Sequence, residues 1–339
     1  MIRNDRLGDM IMMFPVLQAL KAYDPTIRIL VVCSDINLRV AGQYDFIDET
    51  LLINRPLDAQ SLKKGAEQLQ AFDIEYAFNC TPGLSNKRLL AKSGAKHKAS
   101  MIYHSRYKKA HCFSKMAERL LCWMSDIKTH EVDRVRSFAK GDNIHQTTMA
   151  HQLIQKFIPI GPFARVAGPK QPEVVRDCAE RVLIHASARW IKTPYQESHF
   201  IELIERVTAL YGKTIITTDS DSKKHFLKMY QKFPVASNHN IGDDAFCQYP
   251  IFIADTLDFV NWQAVVSAAR KVITIECGVL HIAELYNRET IVVYHTDNRP
   301  ELMSAEYYPW TDYFTPIICP RLEINDRVMQ ELKKTVALN

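Results

Sequence analysis

Short β-rich runs alternate with amphipathic helical segments along this chain, and no other feature of the sequence restricts the fold as strongly. In the second half the β-rich runs are 181–186, 213–218, 271–276 and 290–295. Segments with apolar residues at helical spacing lie at 196–211, 221–232, 261–269 and 279–287. Strands that alternate with helices build βαβ units around a parallel sheet. The pattern therefore predicts the α/β fold class.

The first half shows the same alternation, which predicts a second sheet. Its helical segments are 10–22 and 58–71, and its β-rich runs are 27–33, 49–53 and 73–79. A chain of 339 residues exceeds what one hydrophobic core usually serves, so two domains are expected. Prolines and glycines concentrated between the halves favour a linker at 159–174. We therefore expect domains at 1–158 and 175–320, and a last helix within 321–339.

Composition and cysteine spacing narrow the class of protein. Hydrophobic residues make up 47% and charged residues 24%, which is typical of a globular protein. The eight cysteines include no C-x-x-C pair and no zinc-ligand spacing, so reduced thiols and a cytoplasmic location are expected. The longest apolar runs are only strand-length and no signal peptide is visible, so the sequence predicts no membrane-spanning helix.

A basic tract stands out within a modest net charge of +5. Residues 87–115 contain nine cations and no Asp or Glu. Two interpretations stay open: a solvated helix face and loop, or a surface for an anionic partner such as a phosphorylated lipid headgroup. RNA is a third, but the modest net charge does not require a nucleic-acid partner, and none is expected.

Several enzyme classes with recognisable motifs are excluded. The eleven glycines form no G-x-G, so the dinucleotide-binding fingerprint is absent. Neither G-x-S-x-G nor H-E-x-x-H occurs, which argues against the corresponding serine hydrolases and zinc proteases. We expect no cofactor.

The opening stretch contains a candidate catalytic carboxylate. Gly8 and Asp9 lie in a turn before a helix, and after a strand such a turn stands at the carboxyl end of a parallel sheet. No strand is visible before this turn, so the first strand of the domain is missing from the pattern. Asp9 at a helix start either caps backbone N–H groups or takes part in chemistry. The turn by itself leaves both alternatives open.

Two strand ends in the second domain carry residues suited to a diphosphate. The residues are Lys192 and Pro194 after one strand, which ends in small and hydroxyl residues, and Glu276, Cys277, Gly278 and His281 at the end of the other. Backbone N–H groups at a helix N-terminus, together with the helix dipole, bind phosphate. Because both strands would end at the same edge of a parallel sheet, we expect a diphosphate site there.

These motifs together resemble glycosyltransferase family 9, the heptosyltransferases of bacterial lipopolysaccharide core assembly. The family's opening R-x-G-D and P-x-L-x-x-L-K match Arg6, Gly8, Asp9, Pro15, Leu17, Leu20 and Lys21. Its strand, lysine and short proline or tryptophan turn resemble 185–194. Its D-T-G-x-x-H motif resembles 276–281, with Glu276 in place of Asp and Cys277 in place of Thr. The blocks occur in the family's order and spacing, so the resemblance covers nearly the whole chain.

The resemblance implies a GT-B fold, in which two Rossmann-like, doubly wound domains face each other across a cleft. It implies that 1–158 binds the acceptor and 175–320 binds the nucleotide sugar, with the last helix crossing back to the first domain. Family members begin with a short apolar strand that is absent here, so we expect the native chain to start upstream of Met1.

The resemblance also implies roles for individual residues. Asp9 is expected to be the catalytic base, and Lys192 to neutralise the leaving diphosphate. The implied donor-binding residues are Ser187, Arg189, Glu276, Cys277, Gly278 and His281. The implied acceptor-binding residues are Arg6, Lys98, Arg106 and Lys108. Ordinary structural roles stay open for Lys192, Arg189 and His281, and residues 219–222 either hold the donor ribose or cap a helix.

The implied reaction is inverting transfer of a heptose from ADP-heptose to the lipopolysaccharide core, with no metal. The implied location is the cytoplasm, with peripheral contact to the inner face of the bacterial inner membrane. Two alternatives stay open. The donor is a hexose or N-acetylhexosamine nucleotide, or the chain is a degenerate sugar-nucleotide-binding protein, because Glu276 and Cys277 depart from the family pattern.

Overall fold

The computed structural model describes residues 1–103, 112–132, 145–295 and 300–337. The chain divides into two compact units, Met1–Val166 and Ala167–Asn339. Their boundary lies inside the stretch 159–174 that is predicted as the linker. Each unit combines parallel strands with helices, so the predicted α/β fold class is confirmed. The acceptor and donor roles of the two domains stay predictions.

The first unit contains five named strands and helices between them in its described residues. Its strands are β1 (Leu30–Cys33), β2 (Glu49–Leu52), β3 (Tyr76–Asn79), β4 (His97–Tyr103) and β5 (Ile127–Val132). Its helices are α1 (Leu7–Ile11), α2 (Phe14–Tyr23), α3 (Asp35–Ala41), α4 (Ala59–Gln70), α5 (Leu84–Ala91), α6 (Cys112–Met124) and α7 (Gln146–Ile154).

Ile2 joins the two parts of the first sheet. β1 pairs with β2, and β3 pairs with β4 and β4 with β5, all in parallel. Ile2 lies between β1 and β3 and forms parallel bridges with Val32 and Asn79. Its N–H donates to Phe78 O at 2.8 Å, and its carbonyl accepts from Cys80 N–H at 3.1 Å. The residues after Ile2 therefore leave the sheet at the carboxyl ends of β1 and β3.

The first three residues thus take the central position of this sheet, where the sequence pattern lacks a strand. Val32 N–H donates to Met1 O at 2.8 Å, and Arg3 N–H donates to Val32 O at 3.1 Å. The Met1 amino group donates to Leu30 O at 2.8 Å, and burial lowers its pKa to about 6. The expected start upstream of Met1 stays a prediction.

The second unit is a seven-stranded parallel sheet with helices. Its strands are β6 (Val182–Ala186), β7 (Thr214–Thr218), β8 (Val235–Ala236), β9 (Ile251–Ala254), β10 (Lys271–Ile275), β11 (Thr290–His295) and β12 (Phe314–Cys319). Its helices are α8 (Glu197–Tyr211), α9 (Ser222–His225), α10 (Leu227–Lys232), α11 (Asp244–Cys247), α12 (Phe259–Ala268), α13 (Gly278–Leu285), α14 (Pro300–Tyr307) and α15 (Ile324–Ala337).

The strand order of the second sheet creates a switch point between β6 and β10. The order is β12-β11-β10-β6-β7-β9-β8. The strands β7 to β9 therefore lie on one side of β6, and the strands β10 to β12 lie on its other side. Lys271 of β10 pairs with Val182 of β6, and Ile273 pairs with Ile184. Open α/β sheets bind ligands outside the carboxyl ends of strands at such a point.

Complete burial explains why the strands of the second unit are continuous apolar runs in the sequence. Every residue of β6, β7 and β10 is buried, as expected for parallel strands covered on both faces. The last helix, α15, packs against α8 and β12 through Ile324, Val328 and Leu332. Burying each such side chain contributes about 1.5–3 kcal/mol. The predicted crossing of this helix to the first domain stays a prediction.

Two predicted helices are interrupted in the structure. The segment predicted at 10–22 consists of α1 and α2, separated at Met12 and Met13. Pro15 lies in the first turn of α2, where its missing N–H costs no intrahelical bond. The segment predicted at 221–232 consists of α9 and α10, because the backbone of Phe226 (φ −128°, ψ 43°) leaves the helical region.

Candidate functional site

Asp9 lies in the first turn of α1 and is held by a buried arginine. The Arg3 guanidinium donates to Asp9 Oδ1 at 2.6 Å and to the Asp9 backbone carbonyl at 3.1 Å. Arg3 is 1% exposed. The N-cap residue of α1 is Arg6, which makes no side-chain capping bond, and both alternatives for Asp9, capping and chemistry, stay open. The ion pair with Arg3 fixes the orientation of the Asp9 carboxylate.

A second carboxylate, Asp5, shares the same guanidinium. Asp5 Oδ1 lies 3.2 Å from Arg3 Nε. Burial raises the pKa of Asp5 to about 6, and the neighbouring Asp9 charge adds to the effect, against the attraction of Arg3. Neither Arg3 nor Asp5 was predicted from the sequence. The turn between Ile2 and α1 has no periodic pattern of apolar residues. The only sequence signal for Arg3 and Asp5 was that they lie a few positions before Asp9.

Buried asparagines fix the backbone that carries these carboxylates. Asn4 Nδ2 donates to Ile53 O at 2.8 Å, and Asn86 Nδ2 donates to Asn4 Oδ1 at 2.7 Å. Asn37 Nδ2 donates to Arg3 O at 2.7 Å. These bonds tie the turn to β2, α5 and α3. Hydrogen bonds from three parts of the first unit therefore fix the backbone that leads to Asp9.

The residues predicted to bind the acceptor do not all lie near Asp9. Arg6 is exposed at the start of α1, three positions before Asp9. Lys98 lies at the amino end of β4, whereas Asp9 follows the carboxyl ends of β1 and β3. Arg106 and Lys108 lie outside the described residues. Within the basic tract, Lys87 is buried and its Nζ lies 3.1 Å from Glu118 Oε2, so the solvated-face interpretation is wrong for that lysine.

In the second unit, two buried aromatic residues hold the loop after β6. Trp190 Nε1 donates to His185 O at 2.8 Å, and Tyr195 OH donates to Asn325 Oδ1 at 2.9 Å. Arg321 Nη1 donates to Trp190 O at 2.9 Å. Trp190 and Tyr195 are almost completely buried. The loop segment between them is therefore anchored at both ends.

Lys192 lies within this anchored segment and is exposed. Its backbone N–H donates to Tyr195 O at 3.1 Å, and Tyr195 N–H donates to Lys192 O at 2.8 Å. The peptide bond between Thr193 and Pro194, inside this turn, is cis. The turn therefore positions a lysine beyond the carboxyl end of β6, as the sequence predicts.

Three predicted donor-binding residues converge at the switch point. Ser187 follows β6 and Glu276 follows β10, and these strands are neighbours. Arg189 Nη1 donates to Glu276 O at 2.5 Å and to Glu276 Oε2 at 3.1 Å. Ser187 Oγ accepts from Arg189 N–H at 3.4 Å. The strand order therefore brings the two predicted motifs of the second domain together.

Cys277 and Gly278 form the start of α13. Cys277 stands at the N-cap position but makes no capping hydrogen bond. Its Sγ lies 3.2 Å from Thr274 Oγ1, and burial raises the pKa of this thiol, which favours the neutral form. The first-turn N–H groups of a helix lack intrahelical acceptors and suit an anion.

His281 lies inside the unit rather than on its surface. It is 1% exposed, and its Nδ1 lies 3.5 Å from Glu284 Oε2. Glu284 Oε1 in turn accepts from Trp310 N–H at 2.6 Å. These contacts favour the structural alternative for His281. A direct donor contact by this residue stays a prediction.

The stretch 219–222 forms a local turn before α9, but Asp221 at the N-cap position makes no side-chain capping bond, so both interpretations of this stretch stay open. Asp219 N–H donates to Ser222 Oγ at 3.0 Å, and Asp221 N–H donates to Asp219 Oδ1 at 3.0 Å. Sequence analysis missed Asp255, which follows β9 and accepts from Thr218 Oγ1 at 3.0 Å. Its signal was available, since a polar residue directly follows the apolar run IFIA.

The described ranges contain neither a metal-binding cluster nor a membrane-spanning helix. No three His, Cys, Asp or Glu side chains there are placed to hold a metal ion. No helix in those ranges combines the length and apolar character needed to cross a bilayer. The seven cysteines with described side chains are free thiols. Metal independence stays a prediction.

Comparisons with known proteins place the fold among glycosyltransferase structures. The chain aligns over 98% of its length with a glycosyltransferase family 9 structure from Veillonella parvula, covering 88% of it (TM-score 0.68, 14% identity). It covers 98% of the E. coli heptosyltransferase WaaC with ADP (TM-score 0.68, 12% identity). It covers 96% of E. coli ADP-heptose LPS heptosyltransferase II (TM-score 0.64, 12% identity). The predicted resemblance to family 9 is therefore confirmed for the fold.

Sequence comparisons give a shorter match. No protein-family model matches the chain. A putative glycosyltransferase from Haemophilus influenzae is 26% identical over 97 residues. That match spans 29% of this chain and only 28% of the relative.

Proposed function

We propose that this protein is a glycosyltransferase that moves a sugar, heptose by preference, from a nucleotide-sugar donor to the lipopolysaccharide core. The supporting observation is the convergence of Ser187, Arg189 and Glu276 at the switch point of the second sheet. Ligands of open α/β sheets bind at such a point. The chain shares its fold with an E. coli heptosyltransferase whose structure contains ADP. This similarity supports the interpretation of the switch point as a nucleotide-sugar site.

The second unit would bind the donor diphosphate. The start of α13 supplies backbone N–H groups, and Lys192 supplies a positive charge on an anchored turn. As the bond between the sugar and the diphosphate breaks, negative charge develops on the departing oxygen. A donor or cation placed there stabilises that charge by about 3–4 kcal/mol in comparable sites. No step in this scheme calls for a metal.

The first unit would activate the acceptor. The Asp9 carboxylate takes the proton of the acceptor hydroxyl as that oxygen attacks the anomeric carbon. The bond from this carbon to the diphosphate oxygen breaks, its electron pair leaves with the diphosphate, and the anomeric configuration inverts. Arg3 is then a positioning residue, because it holds Asp9 at 2.6 Å without being exposed itself.

Glu276 and Arg189 would select the donor sugar. Glutamate carries one more methylene than the family's aspartate, and the contact with Arg189 holds the longer side chain at the strand end. The Glu276 carboxylate would therefore contact the sugar hydroxyls from a different position than the aspartate carboxylate of the family. A hexose or N-acetylhexosamine donor and a degenerate binding protein remain the alternatives.

The acceptor and location follow from the same proposal. We infer a cytoplasmic protein with peripheral contact to the inner membrane, where the lipopolysaccharide core is accessible. Arg6, which is exposed three positions before Asp9, would contact the acceptor's phosphates.

Turnover assays with purified protein test the proposal. ADP release from ADP-heptose and a core acceptor should fall about a hundredfold or more in Asp9→Asn and Lys192→Ala. Lys334→Ala, an exposed lysine that pairs with Glu331 on α15, is the matched control and should keep full activity. Chelators should leave the rate unchanged.

Calorimetry separates the alternatives. Asp9→Asn should still bind ADP-heptose, because its change lies in the first unit. If wild-type protein binds the donor but releases no ADP with any acceptor, the degenerate alternative holds. Faster turnover with hexose nucleotides would identify the other alternative. An Asp9→Asn variant as active as the wild type would contradict the mechanism.

A further inference from the structure

Helix α6 (Cys112–Met124) exposes a continuous apolar stripe. Its members are Phe113, Met116, Leu120, Trp123 and Met124, which are 83%, 57%, 55%, 79% and 70% exposed. Their spacing of three, four, three and one places them on one face of the helix. Single exposed apolar residues need no explanation, but a contiguous patch of large ones marks an interaction surface.

The opposite face of α6 is buried and charged. Glu118 is 3% exposed, and its carboxylate lies 3.1 Å from Lys87 Nζ and 3.2 Å from Lys115 Nζ. Cys122, one turn further along, is also buried. A helix on a water-soluble surface normally buries its apolar face and exposes its charges. In α6 the arrangement is the opposite. The buried face carries Glu118 in an ion pair with Lys87, and the exposed face carries five large apolar side chains.

Charge around the stripe favours an anionic occupant. The tract 87–115, which leads into α6, contains no Asp or Glu, and its exposed cations include Arg88 and Lys92 on and directly after α5, the helix that packs against α6. Lys128, after the helix, is exposed, whereas Arg119 and Glu131 pair with each other at 2.7 Å and largely cancel. A second copy of this chain would bring two such cationic tracts together, which like-charge repulsion opposes. A negatively charged surface has no such penalty.

The composition of the stripe suits a lipid surface. Interfacial helices combine Trp, Phe and Leu on one face with nearby cations, and lie in the plane of the bilayer. Trp side chains favour the boundary between headgroups and acyl chains. At 13 residues, α6 is far too short to span a bilayer but long enough to lie on one.

We propose that α6 is a membrane-docking helix, which inserts the stripe Phe113, Met116, Leu120, Trp123 and Met124 into the surface of an anionic phospholipid bilayer. This proposal names the contact surface for the peripheral association inferred above. It does not depend on glycosyl transfer, so turnover and membrane binding can fail separately.

Vesicle sedimentation tests the proposal on the full chain. Wild-type protein should bind vesicles of phosphatidylethanolamine with phosphatidylglycerol, and should bind phosphatidylcholine vesicles much more weakly. The variant Phe113→Ser with Trp123→Ser should lose at least about tenfold in affinity for the anionic vesicles. The matched control, Ile36→Ser with Leu322→Ser, removes two exposed apolar side chains elsewhere and should bind as the wild type does.

Several results would overturn the proposal. Wild-type protein that fails to bind the anionic vesicles contradicts it, as does equal binding by the α6 variant. Equal loss in the control variant shows nonspecific apolar binding instead. Sedimentation equilibrium gives a further outcome, because a wild-type dimer that the α6 variant abolishes would assign the stripe to a second copy. Circular dichroism of the α6 variant, whose changed residues are highly exposed, should match the wild type.

Discussion

Replacing Arg3 with methionine removes the guanidinium that lies between Asp5 and Asp9. Arg3 Nη2 is 2.6 Å from Asp9 Oδ1, and Arg3 Nε is 3.2 Å from Asp5 Oδ1. The two carboxylates are only 11% and 12% exposed, so water solvates them poorly once the cation is gone. Methionine fills much of the same volume without charge. The substitution therefore removes the ion pairs together with the hydrogen bonds from the guanidinium to the carbonyls of Asp9 and Cys80.

The expected cost is large and depends on pH. Removing one partner of a buried ion pair costs about 3–5 kcal/mol, and the remaining solvent contact places this case near 3 kcal/mol at about pH 8. Burial already raises the pKa of Asp5 to about 6, and in the variant Asp5 should bind a proton more tightly when folded than when unfolded. The variant's free energy of unfolding should therefore rise as the pH falls, and the penalty should shrink by about 1–2 kcal/mol at about pH 5.

Hydrogen exchange measures this effect in the first unit alone. Amides of β1 and β3, which flank Ile2, report the opening free energy of the sheet that carries Arg3. Arg28→Met is the matched control, because Arg28 is 78% exposed and pairs with Glu49 at the surface. Its expected cost is below about 1 kcal/mol at either pH.

Two results would refute the reasoning about Arg3. A penalty no larger than that of Arg28→Met would show that the buried ion pairs contribute little. A penalty of equal size at both pH values would show that Asp5 does not take up a proton when the cation is lost. In the second case the cost would come from packing and from the lost hydrogen bonds to the carbonyls of Asp9 and Cys80.

Two further predictions concern the second unit. Burial lowers the pKa of His185 to about 4, so the unfolded state binds the extra proton between about pH 6.5 and pH 4 and stability falls on acidification across that window. His185→Gln should flatten this dependence, by up to about 3 kcal/mol in urea unfolding at the acid end, and an unchanged slope would contradict the assignment. Glu276→Asp should break the 3.1 Å contact with Arg189 and change kcat/KM for the preferred donor by about tenfold, with Glu289→Asp, a surface glutamate beside Lys271, as the control. Identical donor preference in the two variants would show that Glu276 does not contact the sugar.

Local sequence pattern was sufficient to predict the fold class and most of the second unit. The runs 181–186, 213–218 and 271–276 correspond to β6, β7 and β10 within one residue at each end. Continuous apolar runs bounded by polar residues are local features, so they can be read without knowing the partners. The motif residues at the ends of β6 and β10 were predicted for the same reason.

Two strands that lie at sheet edges were not predicted. β5 has four consecutive polar residues between Ile127 and Val132, and β12 contains Pro316, which an interior strand does not tolerate. Both strands form an edge of their sheet in the described residues. An edge position is a property of the assembled sheet, so the sequence alone does not distinguish these runs from loops.

Tertiary structure alone decided which charged groups meet. Arg3 reaches Asp5 and Asp9 within one turn, and Lys87 meets Glu118 from a different helix. Helical periodicity showed neither pair, because it carries no information about which distant residue fills a buried position.

The orientation of α6 is a further example. A stripe of large apolar residues at helical spacing normally predicts the buried face of a helix. Here the buried face is the one that carries Glu118, because Lys87 on α5 supplies its charge partner. The sequence by itself determined that α6 has one face of large apolar residues and an opposite face that carries Glu118. Only the packing against α5 decided which of them faces water, since that depends on the free energy of pairing a buried charge.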